Sequence, residues 1–351
     1  MHSNGLPLKP PSLKAGDTIA VLSPCSGLAY TFPYVYDLGL ENLRNTFDVN
    51  ILEMPTAMMD NDTLYASPEK RAQDINNAFA NPKVNAIIVT IGGDDSVRIL
   101  EYLDIELILK NPKIIMGYSD ATTFLTYLNQ KGLVTFNGPA VMAGFAQLQA
   151  YPKHVTEHIR RMLMTQIARY SLPYFEGYTE RYLNWQTPEN AGQVEPLKKD
   201  DIGWQWIQGQ GKVEGRLFGG CIEVLEFLKA TKYWPEPAFW DDKILYFETS
   251  ENAPSIDCVK YFLRNYGTQG IFGRVKGILF GRARDYSNEN KLALIDMIRK
   301  VLDVEFKQAD LPVVANLTFG HTDPQWVMPN GILTEINCDE KTIALLESPT
   351  C

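Results

Sequence analysis

Three residues far apart in the chain, Ser119, Glu248 and His321, have the side chains needed for acyl transfer, and each follows an apolar run of strand length. A serine hydroxyl is a weak nucleophile at neutral pH until an imidazole takes its proton. The imidazole in turn works best when a carboxylate fixes its tautomer and steadies its cation. Ser119 lies in Lys113-Ile114-Ile115-Met116-Gly117-Tyr118-Ser119-Asp120-Ala121-Thr122, where an apolar run meets a helix-like segment extending to Asn129. The pattern predicts a strand turning sharply into a helix, with the small Gly117 and Ala121 permitting the turn. Such an elbow lifts the hydroxyl out of the sheet and aims free N–H groups of the first helical turn at charge developing beside it. The bland alternative makes Ser119 or Asp120 a helix cap. His321 stands in the Gly-flanked loop Phe319-Gly320-His321-Thr322-Asp323, within reach of a substrate, whereas His2 is at the tail and His154 and His158 are near a helix. Glu248 closes the run Lys243 to Phe247, and Glu251 is a second candidate for the same post.

Gly92-Gly93-Asp94-Asp95-Ser96 follows another apolar run, Val84 to Ile91. As an oxyanion loop, its backbone N–H groups join that of Asp120 around a tetrahedral intermediate. As a phosphate loop, it is similar to the Gly-Gly-Asp-Gly signature of phosphofructokinase-like and NAD-kinase-like phosphotransferases. Asp95 then occupies the place of a glycine and repels phosphate. A third reading, a closing binding protein without catalysis, leaves the triad elements without a task. Cys25 in the first strand-helix loop has no base beside it. There is no metal-ligand spacing and no G-x-x-x-x-G-K-[ST] motif, so no metal, cofactor or bound nucleotide triphosphate is expected.

The elements that must position these groups alternate. Strand-like Thr18 to Leu22, Val49 to Leu52, Val84 to Ile91, the elbow strand and Leu133 to Phe136 are interleaved with helical patterns at Val35 to Phe47, Ser67 to Phe79 and Val97 to Leu103. This predicts an α/β chain with an N-terminal doubly wound parallel-sheet domain over residues 1–165, whose ligands sit at the C-terminal strand ends. Residues 166–212 lose periodicity and gather aromatics, and read as a linker and substrate loop. Residues 213–351 read as a C-terminal mixed α/β domain, with Glu214 to Gly220 leading into a helix from Ile222 to Leu228. Its strands are Lys243 to Phe247, Val275 to Phe280 and Pro312 to Asn316. A Pro329-Asn330-Gly331 turn precedes two terminal strands, Ile332 to Asn337 and Thr342 to Leu346. The active site is then expected at the domain interface.

With 351 residues and 45% hydrophobic content the chain can build such cores, and its net charge of -9 argues against nucleic acid or an anionic membrane as partner. The first residues lack a charged start and apolar core, and no run nears a membrane span. Five scattered cysteines without C-x-x-C read as reduced thiols, so a cytoplasmic protein acting on a small molecule or peptide is expected.

Together the motifs resemble a known family. Ile91-Gly92-Gly93-Asp94-Asp95-Ser96, Gly117-Tyr118-Ser119-Asp120-Ala121-Thr122, Asn137-Gly138-Pro139, Gly215-Arg216-Leu217-Phe218-Gly219-Gly220, Phe247-Glu248-Thr249-Ser250-Glu251 and Phe319-Gly320-His321-Thr322 occur in the order seen in LD-carboxypeptidases. The chain resembles that family of serine peptidases over nearly its whole length, and within it the microcin-immunity branch. The resemblance implies a Ser119–Glu248–His321 triad assembled between two domains, an oxyanion hole from the backbone of Gly93 and Asp120, and a homodimer. It implies as substrate either a murein tetrapeptide, cut before its terminal D-alanine, or a peptidyl or aminoacyl adenylate analogue, with Trp185 stacking on the base. Cys221-Ile222 departs from the family, where Asn-Leu follows the glycines.

Overall fold

The computed structural model describes residues 6–351, so the leader reading and His2 concern residues outside the described ones. Two sheets face each other across the site. The first runs in the order Met328–Asn330, Thr135–Asn137, Ile114–Gly117, Ala86–Val89, Thr18–Leu22, Asn50–Glu53, parallel except for its first strand. The second has eight strands in the order Tyr170–Ser171, Thr342–Leu345, Leu333–Asn337, Lys212–Cys221, Lys243–Glu248, Gly277–Gly281, Val313–Leu317, Gln205–Gln208, with a parallel centre and antiparallel flanks.

Strand side chains alternate between faces, and here both faces are dry. Ala20, Ile87 and Ile115 with Phe218, Leu245 and Ile278 enter one apolar cluster. Their neighbours Val21, Ile88 and Met116 with Leu217, Tyr246 and Leu279 enter the other. Both clusters run through both sheets, so the domains share their cores. All five cysteines are unpaired. Among the described residues no helix is long and apolar enough to cross a membrane.

The structure corrects three local expectations. Glu214 to Gly220 belongs to a ten-residue strand, Lys212–Cys221. Pro329-Asn330 is strand, not turn, and it crosses over to edge the first sheet beside Thr135–Asn137. The Val97 segment is a 3-10 helix, Ser96–Tyr102. Residues 166–212 hold four short strands: Tyr170–Ser171 and Gln205–Gln208 extend the second sheet, and Gly177–Tyr178 pairs with Lys198–Lys199.

One seam joins the sheets where it matters. The Cys221 N–H donates to Thr122 Oγ1 at 3.1 Å, and Cys221 pairs in register with Glu248. Thr122 is three residues past Ser119, so this contact sets the elbow beside the strand carrying Glu248. The approach is close because Gly220 has no side chain: a Cβ there would come within 2.5 Å of Thr122 Oγ1. At Gly219 a Cβ would overlap the Tyr246 carbonyl in the neighbouring strand. Gly219→Ala is therefore expected to destabilise the fold by about 2–4 kcal/mol, read as a lower urea midpoint with an unchanged slope.

Candidate active site

Ser119 is the corner between the Ile114–Gly117 strand and the Thr122–Gln130 helix, and its φ of 61° lies in the left-handed region that non-glycine residues avoid. This is the strained geometry of a nucleophile elbow. Neither Ser119 nor Asp120 makes a side-chain cap, which removes the bland alternative. Asp120 is buried and turns away from its own helix, accepting the Ser96 N–H at 3.0 Å. Burial pushes its carboxyl up to about 6 against the opposing Ser96 hydrogen bonds.

The Gly92 loop lies against the elbow. A Cβ at Gly92 would be 2.9 Å from Ser119 Cβ, and one at Gly93 would be 3.0 Å from the Cys25 backbone. A side chain at Gly92 would force a shift, and one at Gly93 would press tightly on its neighbour. Ser26 Oγ donates to the Gly92 carbonyl at 2.6 Å. Fully buried Arg71 clamps the Asp95 carboxylate at 2.6 Å and the Pro24 carbonyl at 3.1 Å. Asp95, also bound by Arg98, is thus a structural anchor of the loop. No loop acceptor among the described residues takes the N–H of Gly93 or of Asp120. Cys25 is buried, and burial together with the nearby Asp120 charge raises its thiol well above the ordinary range, so it holds no thiolate.

His321 and Glu248 meet from the second sheet. The imidazole Nδ1 and Glu248 Oε2 are 2.6 Å apart, with both side chains almost completely buried. Two glycines hollow out the niche: a Cβ at Gly320 would lie 2.6 Å, and one at Gly281 2.9 Å, from Glu248 Cβ. Glu251, the rival carboxylate, sits on the other edge of the ring, with Oε2 3.1 Å from Nε2. Nε2 faces this carboxylate as an ion-pair contact and has no aligned hydrogen-bond partner, so the bond to Ser119 is not made in this arrangement. Burial alone would lower the His321 pKa, but the two carboxylates outweigh it and raise it to about 10. The same contact holds Glu251 down at about 2.

These groups open on one cavity of 580 Å³, lined by Ser119, His321, Gly93, Glu251, Trp185 and Arg284 among others. It lies where the order of the first sheet reverses, between the ends of Thr18–Leu22 and Ala86–Val89. Trp185 stacks on Tyr182 with ring centroids 5.6 Å apart and planes at 11°. Tyr182 in turn donates to buried Asp323, two residues beyond His321. Most other aromatics of residues 166–212 pin the segment down: Tyr170 stacks on His158, and Trp204 packs edge-on against Trp326. His158 accepts the Val327 N–H at 3.0 Å and stays neutral, burial lowering it to about 3. Arg284, which the sequence reading passed over, could have been found by the rule that selected Glu248: it closely follows a strand end, that of Gly277–Gly281.

The fold and this cavity define a two-sheet α/β architecture with a serine at a strained strand–helix corner, and comparison with known proteins gives it a family. Residues 19–138 match the LD-carboxypeptidase N-terminal domain and residues 214–336 the C-terminal domain, and the chain belongs to this peptidase family. It is 30% identical to a putative carboxypeptidase of Vibrio cholerae over 342 residues, 95% of this chain and 96% of that one. It is 30% identical to the microcin C7 self-immunity protein of Escherichia coli, covering 97% of this chain and 96% of that protein. A probable murein peptide carboxypeptidase of Bacillus subtilis is 26% identical, covering 96% and 94%. The solved structure of the microcin C7 self-immunity protein with aspartyl sulfamoyl adenosine superposes with a TM-score of 0.84 at 28% identity, over 98% of this chain and 100% of that one.

Proposed function

We propose that this protein is a serine carboxypeptidase or amide hydrolase working through Ser119, Glu248 and His321. The observation that carries the reading is the buried Glu248–His321 pair, whose ring borders the same cavity as the strained Ser119. Substrate entry displaces Glu251 from Nε2, and Ser119 Oγ takes its place, since catalytic hydrogen bonds often tighten only in the complex. Ser119 then attacks the amide carbonyl while His321 takes its proton, and the N–H groups of Gly93 and Asp120 hold the oxyanion. His321 passes the proton to the leaving amine, and water, activated by the same imidazole, releases the acyl group.

The relatives point to two substrates, a murein peptide and an aminoacyl nucleotide. The stacked Tyr182–Trp185 pair at the cavity favours the second, because a flat aromatic surface suits a nucleobase. We extend the reading to a cytoplasmic protein, on the ground of its five scattered, unpaired cysteines, and to a homodimer, as the resemblance implies. A single-tube hydrolysis assay followed by mass spectrometry, offering aspartyl sulfamoyl adenosine and the murein tetrapeptide together, tests the assignment. Cleavage of the adenosine conjugate is expected, with Trp185→Ala weakening it. Loss of D-alanine alone would keep the hydrolase and change its substrate. If both compounds survive, the hydrolase reading fails.

A further inference from the structure

Among the described residues, Arg284 is the single lysine or arginine on the wall of the cavity. Its Nε is buried without an aligned acceptor, and its nearest carboxylate, Asp285 Oδ2, stands 3.5 Å away. Asp285 is already engaged through Oδ1 by Arg181 at 2.8 Å. Of the other charges on the cavity wall, Asp95 is matched by Arg71 and Arg98 and Glu251 by His321, while Asp94 stands exposed on the first-sheet wall without an ion-pair partner among the described residues. Arg282, two residues earlier, has an Nε without an aligned acceptor too, but its terminal nitrogens are committed, to Thr322 and to Asp200. Its guanidinium is fully buried, bonded to Asp200 at 2.8 Å, and stacked over the Tyr178 ring. Arg282 pins residues 166–212 to the second sheet, while Arg284, with side-chain exposure of 22%, is left facing the cavity with its fork uncommitted. A guanidinium held partly out of water, with one long contact to a carboxylate that is already engaged, gains from an incoming anion, and its planar fork matches a carboxylate or similar oxyanion.

We propose that Arg284 binds the anionic group on the leaving half of the substrate, beside the scissile amide. The inference rests on the hydrolase reading and fixes which half is recognised. Ser119, Gly92 and Gly93 belong to the first-sheet wall, whereas His321, Glu251 and Arg284 come from the second. His321 hands its proton to the leaving amine, so that half lies on the second wall, on the side of Arg284. Both candidate substrates carry an anion there: the carboxylate of the terminal D-alanine, or the acyl sulfamate or phosphoramidate of a nucleotide conjugate. Arg284 also offsets the charge of Glu251, which would otherwise repel such a group.

The test compares wild type, Arg284→Ala and Arg284→Lys on two matched pairs. One pair is the murein tetrapeptide and its C-terminal amide. The other is aspartyl sulfamoyl adenosine and the neutral amide of aspartate with 5′-amino-5′-deoxyadenosine. In Arg284→Ala, kcat/KM for the charged member of the accepted pair is expected to fall roughly 30- to 100-fold, mainly through KM, with less than about threefold change for the neutral member. Arg284→Lys should recover part of the loss, since it keeps the charge without the fork. A purely electrostatic role through Glu251 would instead move the pH profile of both members alike, and equal losses, or none, overturn the inference. An unchanged melting temperature guards against misfolding. Wild type inactive on all four compounds defeats the hydrolase reading. Equilibrium binding of the same compounds then decides Arg284 separately: loss of the charged-over-neutral preference in Arg284→Ala supports it, and an unchanged preference overturns it.

Discussion

Ser119→Ala is expected to lower kcat by roughly 10⁴- to 10⁶-fold while leaving the affinity for substrate nearly intact. The size follows from what remains. Without Oγ no acyl-enzyme forms, and the thiol that lines the same cavity, Cys25, is buried and held protonated, with Asp120 raising its pKa further. The free N–H groups of Gly93 and Asp120 still polarise a carbonyl, which leaves a residue of rate above water. The fold should tolerate the change, because the variant removes one atom and alanine meets the same left-handed φ of 61° that serine already bears. Mass-spectrometric turnover together with calorimetric binding reads both halves of this expectation. Wild-type-like turnover would remove Ser119 from the reaction. Turnover and binding lost together would mean that the elbow had collapsed instead.

The strand–turn–helix corner was legible because its constraints are local: Gly117 and Ala121 flank a turn that a larger residue would block, and an apolar run of strand length precedes it, while the choice between elbow and helix cap needed the partners elsewhere in the chain. The parallel sheet was legible for the same reason, through continuous runs such as Ala86–Val89, buried on both faces. Choosing between Glu248 and Glu251 was beyond local pattern. Both follow one strand end, and what separates them is the niche made by Gly281 and Gly320, distant in sequence. Glycine also hid the Lys212–Cys221 strand, since it weakens strand propensity, and here Gly215, Gly219 and Gly220 are demanded by close neighbours instead. Pro329 misled in a similar way: proline is tolerated in a strand at a sheet edge, and that is where Met328–Asn330 lies. Residues 166–212 show no period because long-range anchors hold them, among them Asp200 on Arg282 and Tyr182 on Asp323.

Glu248→Gln and Glu251→Gln are expected to act in opposite directions. Glu248 accepts from His321 Nδ1, leaving Nε2 as the basic nitrogen. A glutamine can turn its N–H₂ toward Nδ1 and fix the other tautomer, so kcat should fall roughly 10³- to 10⁴-fold near neutral pH. Glu251 instead lies across Nε2 and helps hold the imidazole protonated, at a pKa of about 10. A base protonated that firmly makes kcat/KM climb with pH through the neutral range. Glu251→Gln removes one of the two supporting charges, moves the rise down by at least about one pH unit, and increases activity near pH 7. Stability moves the other way. Because the folded pKa of His321 is raised from 6.5, its contribution is fully present below that value and is lost as pH rises through about 10. Glu251, lowered from 4.5, contributes above that value and loses its share as pH falls through about 2. Glu251→Gln should therefore be less stable than wild type at pH 7 and match it more closely at both extremes. Kinetic pH profiles and urea unfolding measured on the two variants separate the roles. A collapse of kcat in Glu251→Gln, with Glu248→Gln remaining active, would exchange the two carboxylates and make Glu251 the residue that orients the imidazole.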